Sequence, residues 1–213
     1  MSEVDRFVPS SPELLVLQTV VCILGLPRDV PVEALVVVNG QGELVRTAQV
    51  VAEWNHGSSA EHLIITGAGI GERTCRSFDM NDLVQNFGLT RTDNVHVQGY
   101  PVPNTLDHGR WVVEQVERLG VTSVAVYATL YHLPRVFLTL IRFLKNCGLE
   151  RQIALYPRPI QCSPFASSPE TGHLLFDLIP GEFARIMKYG GRGDIASPAE
   201  CAEYLRWLWE QLE

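Results

Sequence analysis

Residues 131–135, with the sequence YHLPR, hold the side chains best suited to chemistry. An imidazole can exchange protons near neutral pH, and a guanidinium binds carboxylates and phosphates. Pro134 marks the first turn of a predicted helix, where the helix dipole is already positive. A cation placed there indicates an anionic partner, which is either a ligand or an internal acid such as Asp107. We therefore predict His132 and Arg135 as candidate catalytic residues of an anion site.

Two glycine-rich turns follow the first two predicted strands. Glycine lets backbone N–H groups approach a ligand, and a helix that starts after such a turn favours an anion. The pattern at 67–71 departs from the dinucleotide fingerprint because position 72 is Glu, so a tight strand-to-helix turn is an equally good interpretation. The ligand-binding residues predicted in these turns are Asn39, Gly40, Gln41, Thr66, Gly67, Ala68 and Gly69.

Further candidates lie at the starts of helices and the end of a strand. Asn104 and Thr105 form a predicted N-cap, which can also face a ligand. Arg46 begins the first crossover helix, and its alternative interpretation is a solvated surface charge. Thr129 ends an apolar strand just before the YHLPR segment. We add these four residues to the predicted ligand-binding set.

Other kinds of site are not indicated. The chain has no HExxH pair or other carboxylate–histidine spacing that requires a metal, and no GxSxG elbow of a serine hydrolase. Its five cysteines are widely spaced, odd in number and without a CxxC pair, which argues against a disulfide framework. Scattered reduced thiols favour a cytoplasmic location.

Short apolar strands alternate with helices along the chain. This order predicts a three-layer, Rossmann-like α/β domain with a mostly parallel sheet of about five strands, and a ligand crevice at their carboxyl ends. The strands are predicted at 34–39, 62–66, 94–97, 121–129 and 152–156, the last ending at Pro157. The principal helices after the first strand are predicted at 43–54, 72–87, 104–119, 134–146, 170–188 (interrupted at 180–181) and 198–212.

The bulk properties favour one soluble globular domain over residues 1–213. The chain is 46% hydrophobic and carries a net charge of −7, which disfavours nucleic acid or an anionic membrane as its main partner. The apolar stretch at 14–26 is shorter than the ~20 residues of a membrane span and follows no basic cluster. We predict a buried helix there and make no prediction of the oligomeric state.

In these motifs the chain resembles the YdcF-like family, a domain of unknown function that includes the SanA- and ElyC-related envelope proteins. The resemblance covers about residues 34–157. It rests on the first strand with its Gly turn and Arg46, the TGAG turn at 66–69, the Asn-Thr pair at 104–105 and the YHLPR segment. The chain departs from the family at 98–100, where an acidic residue is usual, at 107–108, where Glu-Asn is usual, and at Ala68, where the second of two paired glycines is usual.

The resemblance implies a Rossmann-like core at 34–157, preceded by a lead-in at 1–33 and followed by a loop and helices at 158–213. It implies a nucleotide-like ligand such as S-adenosylmethionine, and no particular reaction. Three hypotheses stay open: an enzyme acting on a phosphorylated or nucleotide-linked substrate, with His132 as acid or base and Arg135 and Arg46 as clamps; a non-catalytic ligand sensor; and a structural or partner-binding protein with a vestigial pocket. Burial of His132 and Arg135 against internal carboxylates would contradict the predicted pocket.

Overall fold

A computed structural model describes residues 11–40, 43–67, 69 and 77–212 of the chain. Gln41, Ala68 and part of the helix predicted at 72–87 lie outside the described residues. Within these ranges, no helix is both long and apolar enough to cross a bilayer.

The strands form one sheet in which every pairing is parallel. The order across the sheet is β3-β2-β1-β4-β5. The predicted α/β class with about five parallel strands is therefore confirmed. The strands are β1 (Ala34–Val37), β2 (His62–Ile65), β3 (Val95–Val97), β4 (Ser123–Thr129) and β5 (Ala154–Ile160).

Helices cover both faces of this sheet. They are α1 (Pro12–Leu24), α2 (Val45–Asn55), α3 (Met80–Phe87), α4 (Thr105–Leu119), α5 (Leu133–Asn146), α6 (Leu175–Arg192) and α7 (Pro198–Glu210). The chain passes from β1 to β3 in one direction and from β4 to β5 in the other. Right-handed crossovers therefore place α2 and α3 on one face, and α4 and α5 on the other. The remaining helices, α1, α6 and α7, pack against α5.

The direction of the chain reverses between β1 and β4, which are neighbours in the sheet. In open α/β sheets, ligands bind beyond the carboxyl ends of the strands at this switch point. The segments that leave β1 and β4 here are residues 38–44 and 130–132. The topology therefore brings the Arg46 and YHLPR regions to one crevice.

The structure corrects the predicted bounds of α3, β5 and α6. Helix α3 begins at Met80 because Asp79 and Asp82 form a capping box, so the prediction fails for residues 77–79. Strand β5 continues through Pro157 because it lies at the sheet edge, where a missing N–H group is tolerated. Helix α6 contains Pro180 without interruption and begins at Leu175, five residues after the predicted start.

The close contact between α4 and α5 depends on Gly109. A Cβ atom at this position would lie 2.7 Å from Thr139 Cγ2 and 3.3 Å from a ring carbon of Phe143. We expect Gly109→Ala to lower the free energy of unfolding by about 1–2 kcal/mol, because the steric cost exceeds the helix propensity gained. Urea denaturation measures this change.

A matched control for that variant lies in α6. A Cβ atom at Gly190 would have no neighbour within 4 Å. Gly190→Ala should therefore raise the free energy of unfolding by about 0.5–1 kcal/mol through helix propensity alone. If Gly109→Ala raises the free energy of unfolding as Gly190→Ala does, the two helices do not meet as closely as described.

Candidate functional site

Arg46 lies at the centre of the first polar cluster of the crevice and is fully buried. Its guanidinium donates to Glu43 through Nε, at 2.7 Å, and through Nη2. It also donates to the Val38 carbonyl and to Thr129 Oγ1, at 2.7 and 2.8 Å. Tyr131 adds a hydroxyl donor to Glu43 Oε1 at 2.7 Å. This Glu43 cluster (Glu43, Arg46, Thr129 and Tyr131) ties the end of β1 to the end of β4.

The Glu43 cluster shows that Arg46 is not a solvated surface charge. A guanidinium and a carboxylate that are both buried need each other, because either one alone would lie unpaired in a medium of low dielectric constant. Burial raises the pKa of the Tyr131 hydroxyl, which keeps it a donor to Glu43. Arg46 and Thr129 are thus bound to internal partners at the place where a ligand was predicted.

A second cluster surrounds Arg135, at the start of α5. Its guanidinium donates to Glu182 from Nε at 2.5 Å and from Nη2 at 3.3 Å, and to Thr105 Oγ1 at 2.8 Å. Arg185 also donates to Glu182, at 2.6 Å. Arg135 Nη2 lies 3.0 Å from His132 Nδ1. In this Glu182 cluster (Thr105, His132, Arg135, Glu182 and Arg185), a carboxylate from α6 closes over the YHLPR segment.

The electrostatics of this second cluster make His132 a neutral side chain. Burial, and then the neighbouring Arg135 charge, lower the pKa of His132 to about 3. Since Arg135 donates to Nδ1, the imidazole proton belongs on Nε2. Burial alone raises the pKa of Glu182, but the charge of Arg135 and its hydrogen bonds to the carboxylate outweigh it and hold that pKa well below its usual range. The charge in the cluster is therefore carried by Arg135, Arg185 and Glu182.

The sequence allowed two partners for Arg135, a ligand or an internal acid, and the structure shows an internal acid. The acid is Glu182, 47 residues further along the chain. It is not Asp107, whose nearest recorded cation is Arg110 at 3.8 Å. His132 and Arg135 are thus buried against an internal carboxylate, which contradicts the pocket as predicted around these two side chains, and the pairing removes part of the positive charge indicated for a ligand.

The predicted residues after β1 and β2 form a third cluster. Asn39 donates from its backbone N–H to Thr66 Oγ1 at 2.9 Å and from Nδ2 to the Thr66 carbonyl at 2.8 Å. Thr47 donates to Asn39 Oδ1 at 2.9 Å. Gly40 adopts a φ of 155°, a backbone conformation that favours glycine. These contacts align the two turns, and they occupy the side chains of Asn39 and Thr66.

A fourth group joins the turns after β2 and β3. The amide oxygen of Gln98 accepts from the Gly67 N–H at 3.1 Å and from His108 Nδ1 at 2.9 Å. A Cβ atom at Gly67 would lie 2.6 Å from the Tyr100 carbonyl oxygen, so only glycine fits this close approach. Gly69 adds a second link between these two turns, a parallel β-bridge with Val102. Burial, together with the Arg46 charge, lowers the pKa of His108 to about 4.

A cavity of about 230 Å³ opens beside the Glu182 cluster. It lies between the N-terminus of α4 and the C-terminus of α6, and Arg135 reaches it from α5. As predicted, Asn104 caps α4, and its Oδ1 accepts from two first-turn N–H groups. The remaining lining includes the exposed Arg192. The full lining is Asn104, Thr105, Leu106, Arg135, Thr139, Tyr189, Arg192, Asp194 and Ile195.

The structure thus separates the predicted site residues. Arg135, Asn104 and Thr105 line the cavity, whereas Arg46, Thr129, Asn39 and Thr66 lie in buried clusters beside it. Sequence reasoning assigned no role to Glu43, Glu182, Gln98 or Arg192. The i, i+3 spacing of Glu43 and Arg46 was a usable signal. Glu182 has the same spacing to Arg185, but nothing local pointed to its contacts with Arg135 and His132, which are distant in the chain.

In the part of the chain that the structure describes, no group of three or more His, Cys, Asp and Glu side chains could hold a metal ion. Comparison with protein-family models and with curated proteins finds no match for this chain. The resemblance to the YdcF-like family therefore stays a prediction.

Proposed function

We propose that this protein binds a small anionic molecule in the cavity between α4 and α6. The observation that carries the proposal is that two arginines, Arg135 and Arg192, line one cavity together with the capped N-terminus of α4. A helix N-terminus carries a partial positive charge, and arginine binds phosphate and carboxylate groups in a bidentate manner. The cavity lies near the carboxyl edge of the sheet, where α/β domains bind ligands.

The balance of charge supports this proposal. Glu182 neutralises one of the two arginines that contact it, Arg135 and Arg185, and leaves the other uncompensated. Arg192 adds a further positive charge to the cavity, and Asp194 contributes an opposing one. These five side chains together carry one net positive charge, to which the helix dipole adds, although the whole chain carries a charge of −7.

The size of the cavity favours a particular class of anion. Pockets for drug-sized ligands and cofactors typically occupy about 300–1,000 Å³. The cavity of about 230 Å³ is smaller. It suits the phosphate or carboxylate end of a small metabolite, such as a sugar phosphate. A nucleotide or S-adenosylmethionine would fit only if its base lay outside.

Acid–base catalysis by His132 is not included in the proposal. A general base works best when its pKa is near the operating pH, and burial and the Arg135 charge lower the pKa of His132 to about 3. The imidazole also lies within hydrogen-bonding distance of Arg135 Nη2. We assign His132 the role of fixing the Arg135 side chain, so the proposed function is ligand binding without turnover at this residue.

The proposal is tested by calorimetric titration of the full chain. The probes are glucose 1-phosphate, ADP and S-adenosylmethionine, and the comparison is between wild type and Arg192→Ala. Loss of one charge-assisted hydrogen bond costs about 1.5–3 kcal/mol, so we expect the substitution to weaken binding of the sugar phosphate roughly 10- to 100-fold. Binding should also weaken as salt is added.

Arg110→Ala is the matched control for that titration, because Arg110 is an exposed arginine on α4 that does not line the cavity. It should leave the affinity unchanged. The proposal fails if none of the three probes binds, or if the two arginine variants weaken binding equally.

A further inference from the structure

An acidic side chain, Asp194, lines the cavity between α4 and α6 together with the two arginines. It lies just past the end of α6, where Gly193 adopts a left-handed φ of 77° and the Asp194 N–H donates to the Tyr189 carbonyl at 3.0 Å. The following residue is fixed as well, because Ile195 is buried and its carbonyl accepts from Arg142. Contacts on both sides therefore hold Asp194 at the cavity.

The charge of Asp194 stands against its local preference. The C-terminus of a helix carries a partial negative charge, which favours a cation such as Arg192 and disfavours a carboxylate. Within the residues that the structure describes, no group pairs with the half-buried Asp194 carboxylate. Even Arg192, two residues away at the same cavity, forms no ion pair with it. The carboxylate is therefore free to accept a hydrogen bond from a ligand in the cavity.

A carboxylate in an anion site restricts which anions can bind there. It repels any negative group that approaches it, and it stabilises a ligand that turns a hydroxyl or an ammonium group toward it, because such hydrogen bonds are charge-assisted. The charge of the site favours the hydroxyl. With Asp194 included, the side chains around the cavity still carry one net positive charge, which attracts a ligand of net negative charge more than a neutral zwitterion.

The rest of the lining suits a ring that has both an apolar and a polar side. Leu106, Thr139 and Ile195 offer apolar contacts, and Tyr189 adds an aromatic ring. Small-molecule sites typically combine such apolar walls with a few polar groups that fix the orientation of the ligand. A sugar ring meets both requirements, because its C–H groups pack against apolar side chains and its hydroxyl groups reach an acceptor.

We propose that Asp194 determines the specificity of the cavity by accepting a hydrogen bond from a hydroxyl group of a phosphorylated sugar, whose phosphate is bound by Arg135 and Arg192. This inference rests on the proposed function, since it requires that the cavity binds an anion. It adds that the anion must carry hydroxyl groups beside its phosphate.

The test is calorimetric titration of the full chain with two phosphates of similar size. Glucose 1-phosphate carries hydroxyl groups around its ring, and cyclohexyl phosphate carries none. Wild type should bind glucose 1-phosphate at least tenfold more tightly, because cyclohexyl phosphate cannot donate to the charged acceptor. Asp194→Ala should bind glucose 1-phosphate more weakly and cyclohexyl phosphate more tightly, since it removes both the acceptor and the repulsion. Opposite changes of this kind distinguish a role in specificity from general damage to the site.

Asp177→Ala is the matched control, because Asp177 is an exposed acid in the first turn of α6 that does not line the cavity. It removes the same charge from the chain and should leave both affinities unchanged. Asp194→Asn keeps the shape of the side chain and should change the two affinities in the same directions as Asp194→Ala. Urea denaturation should show that both Asp194 variants stay folded, since the carboxylate has no partner among the described residues.

The outcomes separate this inference from the proposed function. If wild type binds neither phosphate, the cavity is not an anion site and both proposals fail. If wild type binds the two phosphates equally, or if Asp194→Ala weakens both equally, the anion site stands and Asp194 does not select hydroxyl groups. Tighter binding of phosphoethanolamine than of glucose 1-phosphate would make the donor an ammonium group, which would also overturn the inference.

Discussion

Replacing Arg46 with Met should lower the free energy of unfolding by about 3–5 kcal/mol, because it leaves the buried Glu43 carboxylate without its countercharge. Arg46 is completely buried, and its four recorded hydrogen bonds all go to internal acceptors. A loss of this size is a large fraction of the stability of a typical domain. Urea denaturation of wild type and Arg46→Met measures it.

The surface pair Asp107–Arg110 provides the control, since it has the same i, i+3 spacing and 58% of the Arg110 side chain is exposed. Arg110→Met should change stability by less than about 1 kcal/mol. The double variant Glu43→Gln/Arg46→Met should be more stable than the sum of the single changes predicts, because the unpaired charge is then absent. If Arg46→Met costs no more than Arg110→Met, the Glu43 cluster is not buried as described.

The second large effect is a loss of stability in mild acid. His132 and His108 are buried, and burial lowers their pKa values from 6.5 to about 3 and about 4. Below pH 6.5 the unfolded chain therefore binds protons that the folded chain does not. The free energy of unfolding therefore has its full value above the pKa of the histidines in the unfolded chain, and it falls as the pH decreases toward their pKa in the folded chain. Each histidine should remove about 2 kcal/mol from the free energy of unfolding between pH 7 and pH 5.

The interval from pH 7 to pH 5 separates the effect of the histidines on stability from that of the acidic side chains. The lowered pKa values of Glu182 and Glu200 act only below their ordinary value of 4.5. His96 is partly buried, and burial, with the neighbouring His62 and Arg118, lowers its pKa too, so it adds to the loss in the same direction.

Urea denaturation at pH 7 and pH 5 checks this prediction in three variants. His132→Gln and His108→Gln should each reduce the difference between the two pH values by about 2 kcal/mol. His173→Gln, at an exposed position, should leave the difference unchanged. An unfolding free energy that is constant over the interval would show that neither imidazole is buried in its neutral form.

The Glu43 cluster and the Glu182 cluster share one arrangement, which explains how the two sides of the crevice are held together. After β1 and after β4, an arginine near the start of a helix is neutralised by a glutamate. Glu43 comes from the turn before the same helix, whereas Glu182 comes from α6, in the C-terminal part of the chain. Helix α6 thereby joins the crevice, and its C-terminus supplies Arg192 to the cavity. The proposed anion site is therefore built jointly by the Rossmann-like core and the helices that follow it.

The sequence alone determined the order of elements and the edge of the sheet where polar side chains gather. Helix α4 was predicted over its whole length, because Asn104 caps its start and Gly120 ends it in a left-handed conformation. Alternating strands and helices were sufficient to predict a parallel sheet. These features depend on residues close together in the chain, and capping and periodicity report such local relations directly.

Only the tertiary structure decided which charges meet. Whether Arg135 faces a ligand or an acid depended on Glu182, and the course of β5 through Pro157 depended on its place at the sheet edge. The burial of Arg46 likewise depended on β4, which brings Thr129 within 2.8 Å of it. A charge is satisfied by whichever groups packing brings near, and packing joins residues that no local pattern relates.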